Sequence, residues 1–184
     1  MNYDKEFWDQ YANENESKFN EEFAKFVRDL AASLRCTTVL EIGCGTGIDL
    51  RLFPETVGVF GADLNDIALS VAKKNSPKFN FNKSSITNLP FKDSSIDFVF
   101  THQLLNYLDD DILEKGISEI HRVAGKYIMN CEKYDELEKQ INSNSKFRNM
   151  QKRWMNHKVK IISNVDMHEE IEPDKSRFTL LKKL

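Results

Sequence analysis

One short segment, residues 39–47 (VLEIGCGTG), most constrains the fold of this chain. It continues a β-branched and apolar run that starts at residue 37 and is typical of a buried parallel strand. The run ends in three glycines, each separated from the next by one residue. Glycine adopts backbone angles closed to other residues and lets a ligand approach the main chain. The segment therefore predicts a strand, a tight bend and then a helical segment, which is the first half of a βαβ unit.

The rest of the chain alternates between strand-like and helix-like segments. Further strands are predicted at residues 56–62, 79–83, 96–101 and 126–131, with a closing strand pair at 159–165 and 177–182. Helices are predicted at residues 18–34, 65–75 and 109–123, with a polar helical region at about 135–158. Asn65 or Asp66 is placed to cap the second of these helices. The alternation predicts an α/β chain with a doubly wound sheet and helices on both faces.

The length and composition predict one globular domain in the cytoplasm. The formal net charge of -3 disfavours a protein that coats nucleic acid. Three widely spaced cysteines without a CxxC pair predict reduced thiols, and neither a disulfide scaffold nor a metal site. We expect no signal peptide and no membrane span, because no apolar run reaches about 20 residues. Residues 1–35 are interpreted as an N-terminal helical arm, and residues 36–184 as the core.

An acidic residue follows the glycine bend at a spacing that suits a nucleoside ligand. Asp63 lies twenty residues after Gly43, at the end of the second predicted strand, where a carboxylate can bind both ribose hydroxyls of an adenosine. A dinucleotide fingerprint would need Gly or Ala where Ile48 stands. Asp49 would also meet an anionic pyrophosphate as a like charge. S-adenosylmethionine is cationic at sulfur and has no phosphate, so both features favour it over NAD.

Four segments together resemble the class I S-adenosylmethionine-dependent methyltransferases: VLEIGCGTG, GADL, ITNLPFKDSSIDFVF and EIHRVAGKYIMN. The resemblance covers residues 39–131 well and extends more loosely to residue 184. It implies a Rossmann-like, mostly parallel seven-stranded sheet with an antiparallel C-terminal strand. It also implies S-adenosylmethionine as the methyl donor, with S-adenosylhomocysteine as the product.

The resemblance further implies which residues contact the cofactor. Asp63 would bind the ribose, Leu64 would lie against adenine, and Ser85 with Ile86 would touch the adenine edge. Ser85 stands where the family usually has an acid, so adenine N6 would be held by a hydroxyl, a backbone carbonyl or water. The full set of cofactor-binding residues is Tyr11, Glu41, Gly43, Gly45, Gly47, Asp63, Leu64, Ser85, Ile86, Thr101 and His102.

Two residues are candidates for proton transfer. His102 ends the fourth predicted strand and is the leading candidate for a general base. The alternative is a histidine that packs against adenine or bonds to the backbone. Glu132 follows the fifth strand as a second catalytic candidate, and its alternative is an exposed loop carboxylate. Trp8 and Tyr11 are interpreted either as a lid over the cofactor or as simple packing of the arm.

The sequence says less about the methyl acceptor than about the methyl donor. Residues 139–160 contain seven Lys or Arg and no Asp or Glu. This pattern fits an anionic acceptor, a nucleic-acid surface, or a solvated helix face. The stretches RVAGKYIMNCEKY and FTLLKK faintly resemble small methylases of sugar biosynthesis, such as those associated with pseudaminic acid. The sequence after the fourth strand, THQLLNY, lacks the NPPY-type motif, which disfavours an amide nitrogen acceptor.

Together these observations predict a methyltransferase of a small molecule or a glycan or nucleotide-sugar precursor. We expect a monomer or homodimer without a membrane or nucleic-acid partner. One alternative is a non-catalytic module that binds S-adenosylmethionine or a nucleotide. The other is an NAD(P)-linked oxidoreductase, which the spacing of the glycines disfavours.

Overall fold

A seven-stranded β-sheet lies at the centre of the structure, a computed structural model that describes residues 5–15, 19–173 and 175–184. In chain order the strands are β1 (Thr38–Ile42), β2 (Gly58–Asp63), β3 (Asn80–Lys83), β4 (Ile96–His102), β5 (Ala124–Lys133), β6 (Gln140–Asn142), β7 (Ser145–Lys146), β8 (Val159–Asp166) and β9 (Ser176–Lys183). The helices are α1 (Lys5–Asn15), α2 (Glu21–Ser33), α3 (Asp66–Asn75), α4 (Asp110–Val123) and α5 (Met150–Arg153).

The strand order of the central sheet is β3-β2-β1-β4-β5-β9-β8, and β6 pairs with β7 in a separate hairpin. Strands β1 to β5 pair in parallel, whereas β9 is antiparallel to both β5 and β8. The predicted fold class is therefore confirmed. The chain leaves β1 toward one sheet edge and returns through β4 toward the other. Such a switch point opens a crevice at the carboxyl ends of β1 and β4, where ligands of this fold bind.

Alternating side chains of the central strands enter two separate cores. Val39 and Phe98 belong to the core covered by α2 and α3, whereas Leu40 and Val99 belong to the core covered by α4. All four side chains are fully buried. Parallel strands buried on both faces read as continuous apolar runs, which is why residues 96–101 were recognisable as a strand. The prediction of helices on both faces is confirmed.

Side-chain caps fix where two of the helices begin. Asn65 accepts a hydrogen bond from the Ala68 N–H at 2.9 Å, which confirms it as the cap of α3. Asn20 caps α2 in the same way through the Phe23 N–H, at 3.1 Å. Helix α2 therefore begins at Glu21, three residues later than its hydrophobic spacing predicts.

The predicted helical segment after the glycine bend is wrong. Residues 48–52 form consecutive turns instead, with the Leu50 N–H bonded to the Gly47 carbonyl at 3.3 Å. Pro54 follows closely, and a proline disfavours helical angles at the residue before it. Only six residues, 48–53, separate the bend from that proline.

The predicted polar helix over residues 135–158 is also wrong. This region folds into the β6–β7 hairpin, the single-turn helix α5 and a short 3₁₀ turn. Asn142 starts the hairpin turn, since its Oδ1 accepts from the Asn144 N–H at 2.8 Å and from the Ser145 hydroxyl at 3.0 Å. Trp154 anchors the far end, fully buried in the α4 core.

Two further features concern the chain as a whole. In the described ranges, no helix combines the length and apolar character required to cross a membrane. Cys36, Cys44 and Cys131 are all buried and form no disulfide.

Candidate active site

The glycine bend after β1 adopts the backbone geometry that its sequence predicts. Gly43, Gly45 and Gly47 have φ values of 75°, 49° and 69°, in the region that favours glycine. A Cβ at Gly43 would lie 2.8 Å from Leu104, and one at Gly47 would lie 2.9 Å from Phe81. A Cβ at Gly45 would meet no atom of the described structure within 4 Å. The open side of the bend is therefore at Gly45, where a ligand can approach the main chain.

Asp63 is clamped to this bend. Its Oδ2 accepts the Gly45 N–H at 2.8 Å, and its Oδ1 accepts the Asn65 N–H at 2.8 Å. Burial raises the pKa of Asp63, and the backbone N–H donors oppose that rise. Each carboxylate oxygen retains a lone pair that can accept a ligand hydroxyl. The structure thus brings together the bend and the acid that the sequence paired.

Leu64 and Ser85 line one open depression of about 460 Å³, together with Lys83, Ser84, Asn88 and Pro90. Leu64 is 62% exposed, which suits a side chain that covers a ligand ring. The Ser85 hydroxyl bonds to Thr87 Oγ1 at 2.9 Å. Ile86 is buried in the α4 core, so its side chain does not line the depression.

Two buried acids, Glu41 and Asp49, lie next to each other behind the bend. Glu41 Oε2 and Asp49 Oδ1 are both buried without a hydrogen-bond donor from the described part of the chain. Burial, followed by the negative charge of neighbouring Asp49, raises the pKa of Glu41 well above its ordinary value. A bound cation would relieve this arrangement, because buried charges require a partner.

His102 is held between two carboxylates. Its Nδ1 lies 2.7 Å from Asp49 Oδ2, its Nε2 lies 2.7 Å from Glu172 Oε2, and its ring stacks on Phe23 with centroids 3.7 Å apart. Burial alone would lower the pKa of His102, but Asp49 and Glu172 outweigh burial and raise it to about 10. An imidazolium has no lone pair with which to accept a proton. The general-base role stays a prediction, and this geometry argues against it.

We expect His102 to remain protonated at about pH 8, where free imidazole is neutral. Burial lowers the pKa values of His121 and His157, so these two rings should be neutral at that pH and provide internal controls. Ring-nitrogen chemical shifts measured by NMR between about pH 6 and about pH 8 check this. The protonated His102 ring contributes folding stability that is fully present below the ordinary pKa of histidine. This contribution is lost as the pH rises through about 10. A His102 ring that titrates with the controls would contradict the assignment.

Glu132 is not the exposed loop carboxylate that was one interpretation of the sequence, because it is fully buried. Its Oε1 accepts the Thr101 hydroxyl at 2.9 Å, and its Oε2 accepts the N–H groups of Leu105 at 3.1 Å and Asn106 at 3.4 Å. Burial raises its pKa to about 7, against the effect of these donors. Thr101 also accepts from the Asn130 amide at 2.9 Å, so its hydroxyl belongs to the core. The catalytic role of Glu132 stays a prediction.

Helix α1 lies beside the carboxyl edge of the sheet. The Trp8 ring packs edge-on against Tyr107, with centroids 5.4 Å apart, in the turn that follows β4. The Asn65 amide donates to Asp9 Oδ1 at 2.9 Å, which ties α1 to the start of α3. Tyr11 is on this helix, but its side chain lies outside what the structure describes.

Intramolecular ion pairs engage part of residues 139–160, which we call the basic segment. Arg148 is buried and bonds to Asp110 at 2.7 Å and to the backbone carbonyls of Leu105 and Leu108. Arg153 pairs with Glu138, Glu114 and Asp110, and Lys146 pairs with Asp110 at 3.0 Å. The acids come from α4 and from the residues before β6. The segment is therefore less available to an anionic acceptor than its sequence suggests.

The site contains residues that sequence reasoning missed. Asp49 entered only as an argument against pyrophosphate, although its position just after the bend was a usable signal. No sequence pattern marked Glu172 as a partner of His102, because it lies seventy residues away in a polar stretch. Of the predicted residues, the bend, Glu41 and Asp63 come together, whereas Thr101 and Glu132 join a polar network inside the core.

Residues 39–126 match the sequence profile of a family described as "Methyltransferase domain". The match covers 88 of the 184 residues, just under half of the chain. Over 96 residues this chain is 30% identical to malonyl-[acyl-carrier protein] O-methyltransferase of Hamiltonella defensa. That alignment covers 52% of this chain and 36% of the relative. The matched region thus spans about a third of the curated relative.

Solved structures share the fold of this chain at low sequence identity. Phosphoethanolamine N-methyltransferase 1 of Haemonchus contortus, in complex with phosphoethanolamine and S-adenosylhomocysteine, has a TM-score of 0.77 and 18% identity, over 98% of this chain and 48% of that one. Magnesium protoporphyrin IX methyltransferase of Synechocystis, with bound S-adenosylmethionine, has a TM-score of 0.68 and 14% identity. That match covers 89% of this chain and 80% of the other.

The residues around the glycine bend fit S-adenosylmethionine. The oxygens of Glu41 and Asp49 that lack donors suit a ligand with an ammonium and a sulfonium group. The bend is open at Gly45, and Asp63 retains acceptor capacity for a ribose. A pyrophosphate at the same place would face buried carboxylates.

Proposed function

We propose that this chain is an S-adenosylmethionine-dependent methyltransferase that acts on a small molecule. The observation that carries the proposal is the pairing of an open glycine bend with Asp63, beside the buried carboxyl oxygens of Glu41 and Asp49 that lack donors. This combination suits an adenosine that is linked to a cationic amino acid. A cytoplasmic location is part of the proposal, because the three cysteines are buried and unpaired.

Each part of the site has a role in binding or orientation. When bound, the cofactor supplies an electrophilic methyl group on a positively charged sulfur. Asp63 holds the ribose, the main chain at Gly45 allows close approach, and Glu41 with Asp49 binds the ammonium. Transfer is an in-line displacement, in which orientation and the exclusion of water contribute much of the acceleration. We assign α1, with Trp8 against Tyr107, as the lid that excludes water.

The acceptor is proposed to be a small molecule, with a glycan or nucleotide-sugar precursor as one class. Two structural neighbours are named for small acceptors, phosphoethanolamine and magnesium protoporphyrin IX. Since Arg148 and Arg153 are engaged in ion pairs, an anionic acceptor would depend on exposed lysines such as Lys152. A protein base is required only if the acceptor carries a proton at neutral pH.

Calorimetry with S-adenosylmethionine, S-adenosylhomocysteine and NAD tests the donor. We expect the first two to bind and NAD to give no heat above dilution. Radiolabelled methyl transfer to cell extract, separated into low-mass and macromolecular fractions, then tests the reaction. We expect label in the low-mass fraction. Binding of NAD alone would indicate an oxidoreductase, binding without transfer would indicate a non-catalytic module, and label in macromolecules would overturn the acceptor class.

A further inference from the structure

We propose that Glu172 is a positioning residue that sets the methionine end of the cofactor pocket through His102 and Asp49. Glu172 lies in the segment between β8 and β9, far in sequence from the glycine bend. The inference rests on the proposed function, because it assigns a purpose to residues around the same cofactor. We call these three residues the carboxylate–imidazole relay.

The relay is a continuous chain of two short hydrogen bonds. Glu172 Oε2 lies 2.7 Å from His102 Nε2, and His102 Nδ1 lies 2.7 Å from Asp49 Oδ2. Asp49 and Glu172 are each only 4% exposed. A charge-assisted pair of this length, shielded from water, restricts its side chains to one geometry. Glu172 therefore fixes the His102 ring, and the ring fixes the Asp49 carboxylate.

Contacts on either side hold the relay in place. The His102 ring stacks on Phe23 of α2. Gln103 donates to Glu172 Oε1 at 3.2 Å, and the Asn20 amide donates to the Ile171 carbonyl at 2.8 Å. The part of this segment at Ile171 and Glu172 is thus docked on the residue that caps α2 and on the residue that follows β4. Its position is determined by the fold rather than by a flexible surface contact.

The relay is negatively charged overall, and one of its carboxylate oxygens has no donor from the described residues. Two carboxylates and one imidazolium leave a net negative charge, while Asp49 Oδ1 is buried without a donor from the described residues. Glu41 Oε2, which also lacks a donor, belongs to the neighbouring carboxyl group. The ammonium of the cofactor's amino-acid portion has the charge and the donors that these oxygens need. The relay accordingly holds Asp49 ready for that ammonium.

Two ligands separate this role from simple structural support. S-adenosylhomocysteine carries the amino-acid portion, whereas 5′-methylthioadenosine has the same nucleoside without it. Glu172→Gln keeps the size of the side chain and removes its charge. We expect this change to weaken S-adenosylhomocysteine about tenfold and to leave 5′-methylthioadenosine within about twofold, both measured by calorimetry. Glu170→Gln, on the exposed part of the same segment, is the matched control and should change neither affinity.

Several outcomes would overturn the inference. Equal weakening of both ligands would reduce Glu172 to structural support, and no weakening of either would remove it from the site. If Glu172→Gln does not fold, NMR of the wild-type protein decides, since S-adenosylhomocysteine but not 5′-methylthioadenosine should shift the His102 ring signals. Identical shifts with both ligands, or none, would also overturn it. Failure of the wild-type protein to bind either ligand would instead refute the proposed function.

Discussion

The Asp63→Ala variant is expected to bind S-adenosylhomocysteine at least about a hundredfold more weakly than the wild-type protein. The carboxylate is the acceptor for both ribose hydroxyls in the proposed complex, and hydrogen bonds to a charged group are worth about 1.5–3 kcal/mol each. It also fixes the bend by accepting the Gly45 N–H at 2.8 Å. The substitution removes both contributions, so the loss should exceed that from a single hydrogen bond.

Calorimetry on three variants provides the test. Asp63→Asn retains one acceptor oxygen and should fall between the wild-type protein and Asp63→Ala. Asp111→Ala changes an exposed acid at the start of α4, away from the bend, and should bind normally. Thermal melts confirm that each variant is folded. Unchanged affinity in a folded Asp63→Ala protein would show that this acid does not hold the ligand.

The Glu132→Ala variant is expected to lose about 4 kcal/mol of unfolding free energy. Three donors depend on this buried carboxylate: the Thr101 hydroxyl and the N–H groups of Leu105 and Asn106. Each buried donor left without an acceptor costs about 1–3 kcal/mol, although water entering the space left by the side chain would reduce the sum. For a chain of this size the loss corresponds to a melting temperature lower by about 10 °C.

The stability loss in Glu132→Ala should depend on pH, and the direction follows from the pKa of Glu132. Burial raises the pKa of Glu132 from 4.5 to about 7, so the unfolded chain releases this proton before the folded protein does. Glu132 therefore contributes a decrease in stability as the pH rises from about 4.5 to about 7. The loss in Glu132→Ala should be largest near pH 5 and smaller near pH 8.

Urea unfolding of the wild-type protein, Glu132→Ala and Glu132→Gln at these two pH values measures the effect. Glu132→Gln retains acceptor capacity without the titration, so it should lose less stability than the alanine variant. Glu136→Ala, at an exposed position nearby, should be neutral at both pH values. A loss in Glu132→Ala that grows with pH would show that the buried carboxylate is not the cause.

The sequence by itself determined the architecture and the placement of Asp63 beside the glycine bend. Strand and helix periodicity act over a few residues, so the alternation of β1 to β5 with α3 and α4 was readable locally. The glycine bend is also local, because positive φ angles are favourable only where side chains are absent. Asn65 as a helix cap depends on a contact three residues away. Asp63 was identifiable as a candidate ligand-binding acid because it ends the second predicted strand, twenty residues after Gly43.

Only the tertiary structure decided the protonation and the partners of the remaining site residues. His102 meets Asp49 and Glu172 across 53 and 70 residues of chain, and no local pattern encodes either contact. The sequence left Glu132 as a catalytic candidate or an exposed loop acid, whereas the structure buries it and bonds it to the Thr101 hydroxyl. Ion pairs with distant acids likewise occupy part of the basic segment. In each case desolvation and a partner from elsewhere in the chain set the charge state, and both exist only once the chain has folded.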